Sequence, residues 1–436
     1  MVFADPVSRR LLEYLGKLVP SEVSVLILLA SLMLAVLLLP MRLAYGADAG
    51  LDAKAREIDE HVLKIDVHTD VLLPGSSELN YAPGHASRTD LSNLKTGGIG
   101  AVAFAVAVGP GPRTAAGTKA ARAEADAKLT WIQTFVRDNP GRVALATSAS
   151  DIERIHRAGK VAVIESFQNA RSLGGDLSAI DTFYHAGVRL FGLTHAGNNE
   201  WADSSRPTGE PVVEHHGLSP LGKRAVAKLN ALGVIIDVSQ LTPEGVLQII
   251  DLSKAPVIAS HSDVRALVDN TRNLSDTELD AIAKSGGVVH VTPFSYYLRP
   301  LPADFDARAA VVRQKFGLPP TNWPGPIGAE AGIDTLSTER LRAFMEDFKA
   351  LMPKSTLEDY VNQIDYLVKR IGVDHVGIGS DFNHGAGVVG FNDESEAPNV
   401  TRELVRRGYS EADIEKIWGG NFLRVFRKVE AVAKNP

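Results

Sequence analysis

From residue 60 onward, short apolar, β-branched runs alternate with stretches of helical period, and this alternation limits the folds open to the chain more than any other feature. The runs cover residues 64–70, 98–108, 161–167, 188–195, 233–240, 256–262, 286–294 and 373–382, eight in all. Between most of them lie amphipathic segments: Ala115 to Asn139, Ser219 to Leu232, Thr242 to Leu252 and Ser275 to Ser285. Ser219-Pro220 and Thr242-Pro243 each read as an N-cap followed by proline in the first turn, where the missing N–H has no partner to lose. Strand and helix in strict alternation predict a parallel sheet with helical crossovers, and eight such units close an eight-stranded parallel β/α barrel of the TIM type. An open doubly wound sheet is the alternative, but no Gly-rich phosphate loop joins the first run to a helix. Two excursions interrupt the rhythm. Residues 196–218, rich in Asn, Asp, Ser, Pro and His, follow the fourth strand; residues 295–354, with Pro300, Pro302, Pro319, Pro320, Pro324 and Pro326, follow the seventh. Both leave the C-terminal end of a strand, the rim on which barrels build their sites, so both read as inserted loops that cover a substrate.

A chain of 436 residues with formal net charge −6 has the length for one large globular domain with decorations. It has no long basic run and few aromatics, which argues against nucleic-acid binding and leaves a small molecule as the expected partner. The absence of cysteine excludes thiolate metal ligands, a cysteine nucleophile and disulfides. Residues 1–49 differ from the rest: Arg9, Arg10 and Lys17 precede an apolar run from Val23 to Leu39, and Ala44-Tyr45-Gly46 and Ala47-Asp48-Ala49 follow it. Basic, apolar and small residues in that order make an export signal, with an uncleaved membrane anchor as the alternative. Either reading places the domain of residues 50–436 outside the cytoplasm, with membrane contact only through an uncleaved N-terminal segment.

The strand ends carry the chemistry. In Lys64-Ile65-Asp66-Val67-His68-Thr69-Asp70, residues 68 and 70 share one face of a strand, and imidazole and carboxylate together suit a divalent ion such as zinc. Glu165 follows Ala162-Val163-Ile164, where a buried carboxylate needs a neutralising cation; its two oxygens suit it to bridge two ions. His195 ends the fourth run, Gln240 the fifth, His261 the sixth and Asp381 the eighth. In a barrel these converge on one axis. A water between two ions becomes a nucleophile near neutral pH, Asp381 is placed to carry its proton to the leaving amine, and His195 to donate to the oxyanion.

Asp66-Val67-His68-Thr69-Asp70, Leu193-Thr194-His195-Ala196-Gly197-Asn198-Asn199 with Ala202-Asp203-Ser204, Ser260-His261-Ser262, Arg272-Asn273 and Gly379-Ser380-Asp381-Phe382 occur in this order. Together, across residues 60–430, they resemble the membrane dipeptidase (renal dipeptidase) family of metal-dependent amidohydrolases. The resemblance implies a binuclear zinc barrel that hydrolyses dipeptides, in many members with a D-residue at the C-terminal position. By that likeness His68 and Asp70 hold one zinc, Glu165 bridges and His261 holds the other. It also implies that His195 contacts the substrate, that Asp381 handles protons and that Arg272, with Asn273 beside it, takes the dipeptide carboxylate. One position departs from the pattern: Gln240 stands where the family has a histidine for the second zinc. An amide oxygen is the weaker ligand, so the second zinc is expected to be labile, with His215, His216, His290 and His384 as candidate replacements. Members of the family often pair, and nothing in the residues settles whether this chain forms a homodimer. Two other readings stay open: a related barrel amidohydrolase acting on a lactone or acylated amino acid, and a non-catalytic binding protein with a degraded metal site.

Overall fold

The computed structural model describes residues 50–73, 87–208, 211–321 and 325–433. The chain divides into residues 1–57 and 58–436; of the first unit, residues 50–57 are described and are helical. The expected export segment, residues 1–49, lies outside the described residues. Among the described residues, no helix is long and apolar enough to cross a membrane.

The described residues of the second unit form nine strands: β1 Lys64–Asp70, β2 Ile99–Ala107, β3 Val143–Leu145, β4 Val161–Gln168, β5 Leu190–Gly192, β6 Ile235–Asp237, β7 Ile258–Ala259, β8 Val288–Val291 and β9 Val376–Ile378. All neighbours are parallel, in the order β1-β2-β4-β5-β6-β7-β8-β9. The ring is drawn together between first and last strands, where the Asp70 N–H donates to Phe382 O at 3.0 Å and the Asp381 N–H to His68 O at 2.8 Å. The eight expected runs supply these eight strands. β3 is additional: it pairs with residues 161–163 of β4, below the point where β5 pairs with residues 166–168.

Alternate residues of each strand enter different cores. Ile65, Val67, Ala101, Ala103, Ala162, Ile164, Leu190, Ile235, Ile258 and Val288 fill the barrel, joined by Phe422 and Phe426 of the last helix, Asn421–Val432. Val102, Phe104, Val163, Phe167, Phe191 and Val289 face the helical shell. Burial of each large side chain contributes roughly 1.5–3 kcal/mol, so a one-residue slip in register, which would exchange the two faces, is strongly disfavoured. The helices stop and start where local chemistry dictates. Ser219 accepts from the N–H groups of Leu221 and Gly222 to open Pro220–Leu232, and Thr242 accepts from Gly245 to open Pro243–Leu252. The Glu278 carboxylate reaches back to the Ser275 N–H at 2.8 Å at the head of Asp276–Lys284.

The two excursions differ in kind. Residues 196–218 are an irregular strap pinned by their own polar groups. Asp203 accepts from the N–H groups of Glu214, His215 and Gly217, and Asn199 accepts from those of Trp201 and Ala202. Residues 295–354 are more than the loop expected from their prolines. The helices Phe305–Lys315 and Thr338–Lys349 enclose a separate apolar core of Phe305, Phe316, Phe344, Met345 and Phe348.

Candidate active site

A bulge in β1 aims the first pair of candidate ligands. Asp66 pairs with Val102 but Thr69 with Phe104, so β1 carries one extra residue there. Ile65 and Val67 therefore lie inside the barrel below the bulge, and His68 and Asp70 turn to the same interior above it. His68 Nε2 lies 3.5 Å from Asp70 Oδ1 and 3.8 Å from Asp381 Oδ1, all three side chains buried. Neither His68 Nε2 nor Asp70 Oδ1 has a hydrogen-bond partner among the described residues. Tetrahedral donors about 2.1 Å from an ion stand roughly 3.4 Å from one another, so these separations fit one divalent ion.

Charge is arranged tightly around this pair. His384 Nδ1 is 3.0 Å from Asp70 Oδ2. Burial pushes Asp70 up, but the imidazoles of His384 and His68 override it and hold the carboxylate well below the usual range. Burial likewise opposes charge on His384, yet Asp70 and Asp381 raise it to about 9. Burial lifts Asp381 above the ordinary carboxylate value, so the two acids differ: one stays ionised and the other accepts a proton more readily. Asp381, with φ of 50°, and Gln240, with φ of 70°, both sit in the left-handed region, a local strain of the kind found at functional sites.

The half centred on His261 is built differently. Its ring stacks on that of His68, centroids 3.8 Å apart. Asp237 accepts from Ser260 Oγ at 2.5 Å, and Ser260 Oγ lies 2.7 Å from His261 Nδ1, which fixes the proton on Nδ1. His261 Nε2 then faces two amide groups, Gln240 Nε2 at 3.1 Å and Gln168 Nε2 at 3.4 Å. Burial, with His68 and Arg272 nearby, keeps this imidazole neutral. Gln240 Oε1 is taken by Arg206, whose Nη2 donates to it. With two neutral amides, no carboxylate at the ring nitrogen and a guanidinium against Gln240, this half does not fit a second zinc.

On the substrate side, Arg272 donates from Nη1 to Ser262 Oγ at 2.8 Å and from Nη2 to the His261 carbonyl, and lies over the Tyr297 ring at 5.3 Å. Its Nε has no partner among the described residues. Asn273 donates to the carbonyls of Val268 and Tyr297, both at 2.9 Å, which ties the Arg272 loop to the segment carrying Tyr296 and Tyr297. His195 is buried, packs edge-on to His384 with centroids 4.9 Å apart, and has both ring nitrogens unpartnered among the described residues. Burial, then His384 and Arg206, hold it neutral.

Glu165 is the expectation that the geometry overturns. The apolar run ending at Ile164 suggested a strand that stops at Glu165, but β4 continues to Gln168. Ala162 and Ile164 face the barrel, whereas Val163 and Phe167 face the shell, and Glu165 shares their parity. Its carboxylate is fully buried outside the barrel, where a Cβ on Gly187 would lie 2.5 Å from Oε2. Burial there raises it to about 7, with only the Gln133 amide and Arg189 opposing. Gln168, on the inward parity, occupies the site instead. The sequence assigned no role to Arg206 or Asp237, and Ser260 entered only as the neighbour of His261 in its motif. The period-two pattern of β4 could have revealed Gln168, but nothing local marks Arg206, which the strap of residues 196–218 delivers through Ser204 Oγ to His195 O, 2.5 Å, and Ser205 N–H to Gln240 O, 2.9 Å. Of the reserve histidines, His384 is in the site. His290 is lower in the barrel with Nδ1 2.9 Å from Ala259 O, and His215 Nε2 is 2.8 Å from Asn199 O. His216 lies in the strap with φ of 52°, its carbonyl accepting from Gln248.

Residues 52–436 match the family described as membrane dipeptidase (Peptidase family M19). Over 353 residues, 80% of this chain and 71% of the relative, the sequence is 31% identical to dipeptidase tcpJ of Claviceps purpurea. The structure of the probable dipeptidase PvdM from Pseudomonas aeruginosa is 40% identical in sequence with a TM-score of 0.76, covering 88% of this chain and 100% of that one. A metallo peptidase from Rhodobacter sphaeroides, liganded with a phosphinate mimic of the dipeptide L-Ala-D-Ala, shares the fold at 24% identity and a TM-score of 0.64, over 84% of this chain and 99% of that one.

Proposed function

This chain belongs to the membrane dipeptidase family, a family of metallodipeptidases that hydrolyse peptide bonds, and on that premise we propose that it cleaves dipeptides outside the cytoplasm with one zinc ion held by His68 and Asp70. The observation that carries this reading is the pair of buried, unpartnered donors, His68 Nε2 and Asp70 Oδ1, 3.5 Å apart beside Asp381. When bound there, a divalent ion supplies the positive charge that polarises a carbonyl and makes water more acidic.

The chain's own residues do the rest. Arg272, held by Ser262 and His261, forks onto the free carboxylate of the dipeptide and sets the scissile carbonyl over the centre. Asp381 takes the proton of the attacking water. As the C–N bond breaks, the same proton passes to the leaving nitrogen, so that dipeptide and water become two amino acids. Neutral His195 donates its ring N–H to the carbonyl oxygen as negative charge grows on it. A D-residue at the C-terminal position is the substrate feature we propose, in line with the family resemblance.

The test is turnover of L-Ala-D-Ala and L-Ala-L-Ala by zinc-loaded protein, read as free alanine. Folded, zinc-loaded protein that releases none from either dipeptide would refute the proposal. The amides at 168 and 240 favour one second reading, a protein that binds dipeptide-like ligands without cleaving them. Tight binding of a phosphinate analogue with no turnover would support it.

A further inference from the structure

The half of the centre around His261 presents amides and a guanidinium where a second ion would need donors. Arg206 is 91% buried by its 9% exposure, contacts Gln240 through Nη2, and keeps Nε without a partner among the described residues. Among the described residues it makes no ion pair with a carboxylate; the phenols of Tyr297 and Tyr296 stand against it, Tyr296 within hydrogen-bond reach, and the carboxylate that acts on it from further off is Asp381. Burying a guanidinium without an anion is costly, and such a charge is ordinarily completed by a partner. Its contacts among the described residues are an amide, Gln240, and the phenols of Tyr296 and Tyr297, none of them a carboxylate. The missing partner is therefore an anion that arrives with the ligand. Arg272 already accounts for the dipeptide carboxylate from the Ser262 side. Arg206 approaches from the Gln240 side, next to the ring nitrogens of His195, where the carbonyl oxygen becomes negative.

We propose that the Arg206 guanidinium takes the place of the second zinc, so that the centre holds a single divalent ion and Arg206 receives the oxyanion formed on the attacked carbonyl. The inference rests on the hydrolytic reading above for the identity of that oxyanion. Gln240 is then a positioning residue: its amide oxygen holds Arg206 while its amide nitrogen meets His261. The arrangement also accounts for the strap of residues 196–218, whose hydrogen bonds from Ser204 and Ser205 to His195 and Gln240 fix the chain immediately before Arg206.

Three measurements on the full chain test it. Zinc content after dialysis is expected to be one ion per chain in the unaltered protein, and two equally retained ions would overturn the proposal. A phosphinate analogue of Ala-Ala, tetrahedral and negatively charged, should bind Arg206→Met roughly 10- to 100-fold more weakly than the unaltered protein, the range expected for a lost charge-assisted hydrogen bond. Arg206→Lys should recover part of that loss. In turnover, Arg206→Met should lower kcat with KM for the planar dipeptide changed by less than about threefold, since the oxyanion exists only in the transition state. Phosphinate affinity within about twofold of the unaltered protein in a folded Arg206→Met variant would overturn the proposal. Because zinc content and phosphinate affinity need no turnover, they remain decisive if the protein proves not to hydrolyse dipeptides at all.

Discussion

Replacing Glu165 by glutamine separates a bridging ligand from a buried structural acid. The carboxyl is sealed outside the barrel beside Gly187, with neither oxygen in a hydrogen bond of good geometry, and burial raises it from 4.5 to about 7. Below pH 4.5 the group is protonated in both folded and unfolded chains and imposes no charge penalty. Between pH 4.5 and about 7 the unfolded chain releases the proton more easily, so stability falls as pH rises; above that range the loss is complete. At about 1.4 kcal/mol per pH unit, the window is worth roughly 3 kcal/mol. Glu165→Gln should therefore match the unaltered protein in urea unfolding at pH 4.5 and gain on it steadily, to an advantage approaching 3 kcal/mol at pH 8, less whatever the amide loses in unmade bonds. Zinc content and dipeptide turnover should be unchanged. A difference that is flat with pH would refute the burial argument, and loss of zinc would return Glu165 to the metal centre.

Asp70→Asn should fold but lose its zinc on dialysis, since an amide oxygen replaces the carboxylate oxygen 3.5 Å from His68 Nε2; metal analysis reads this. Arg272→Lys should raise KM for dipeptides by roughly 10- to 100-fold in steady-state assays, because an ammonium cannot reproduce the two parallel hydrogen bonds. Gly379→Ala puts a Cβ 1.9 Å from the Ser260 carbonyl oxygen and should cost about 3 kcal/mol or more in urea unfolding. Phe344→Ala should cost about 3–5 kcal/mol in the separate core of residues 305–351 while leaving zinc content intact, because that core is distinct from the barrel's.

Most of the barrel was legible because period and caps are local. Eight apolar runs separated by capped helices admit few closed arrangements, and His68, Asp70, His195, His261 and Asp381 came to one rim for that reason. β3 escaped notice because its three residues, Val143–Leu145, are too short to show a period. The folded insert escaped because its prolines suggested a loop, while its core is assembled from side chains up to about forty-five residues apart in sequence.

The residues of this chain therefore determined by themselves that it would close a parallel barrel and which acids and imidazoles would end its strands, because those features depend on spacing along the backbone. Only the tertiary structure decided which side of the sheet each one faced and what charge met it. The parity of β4, paired residue for residue with β2, turned Glu165 to the helices and Gln168 to the centre. A strap from another part of the chain then set a guanidinium against Gln240. The first follows from a parity that only the pairing of β4 with its neighbours fixes to one face, and the second from long-range packing, which no local stretch of sequence contains.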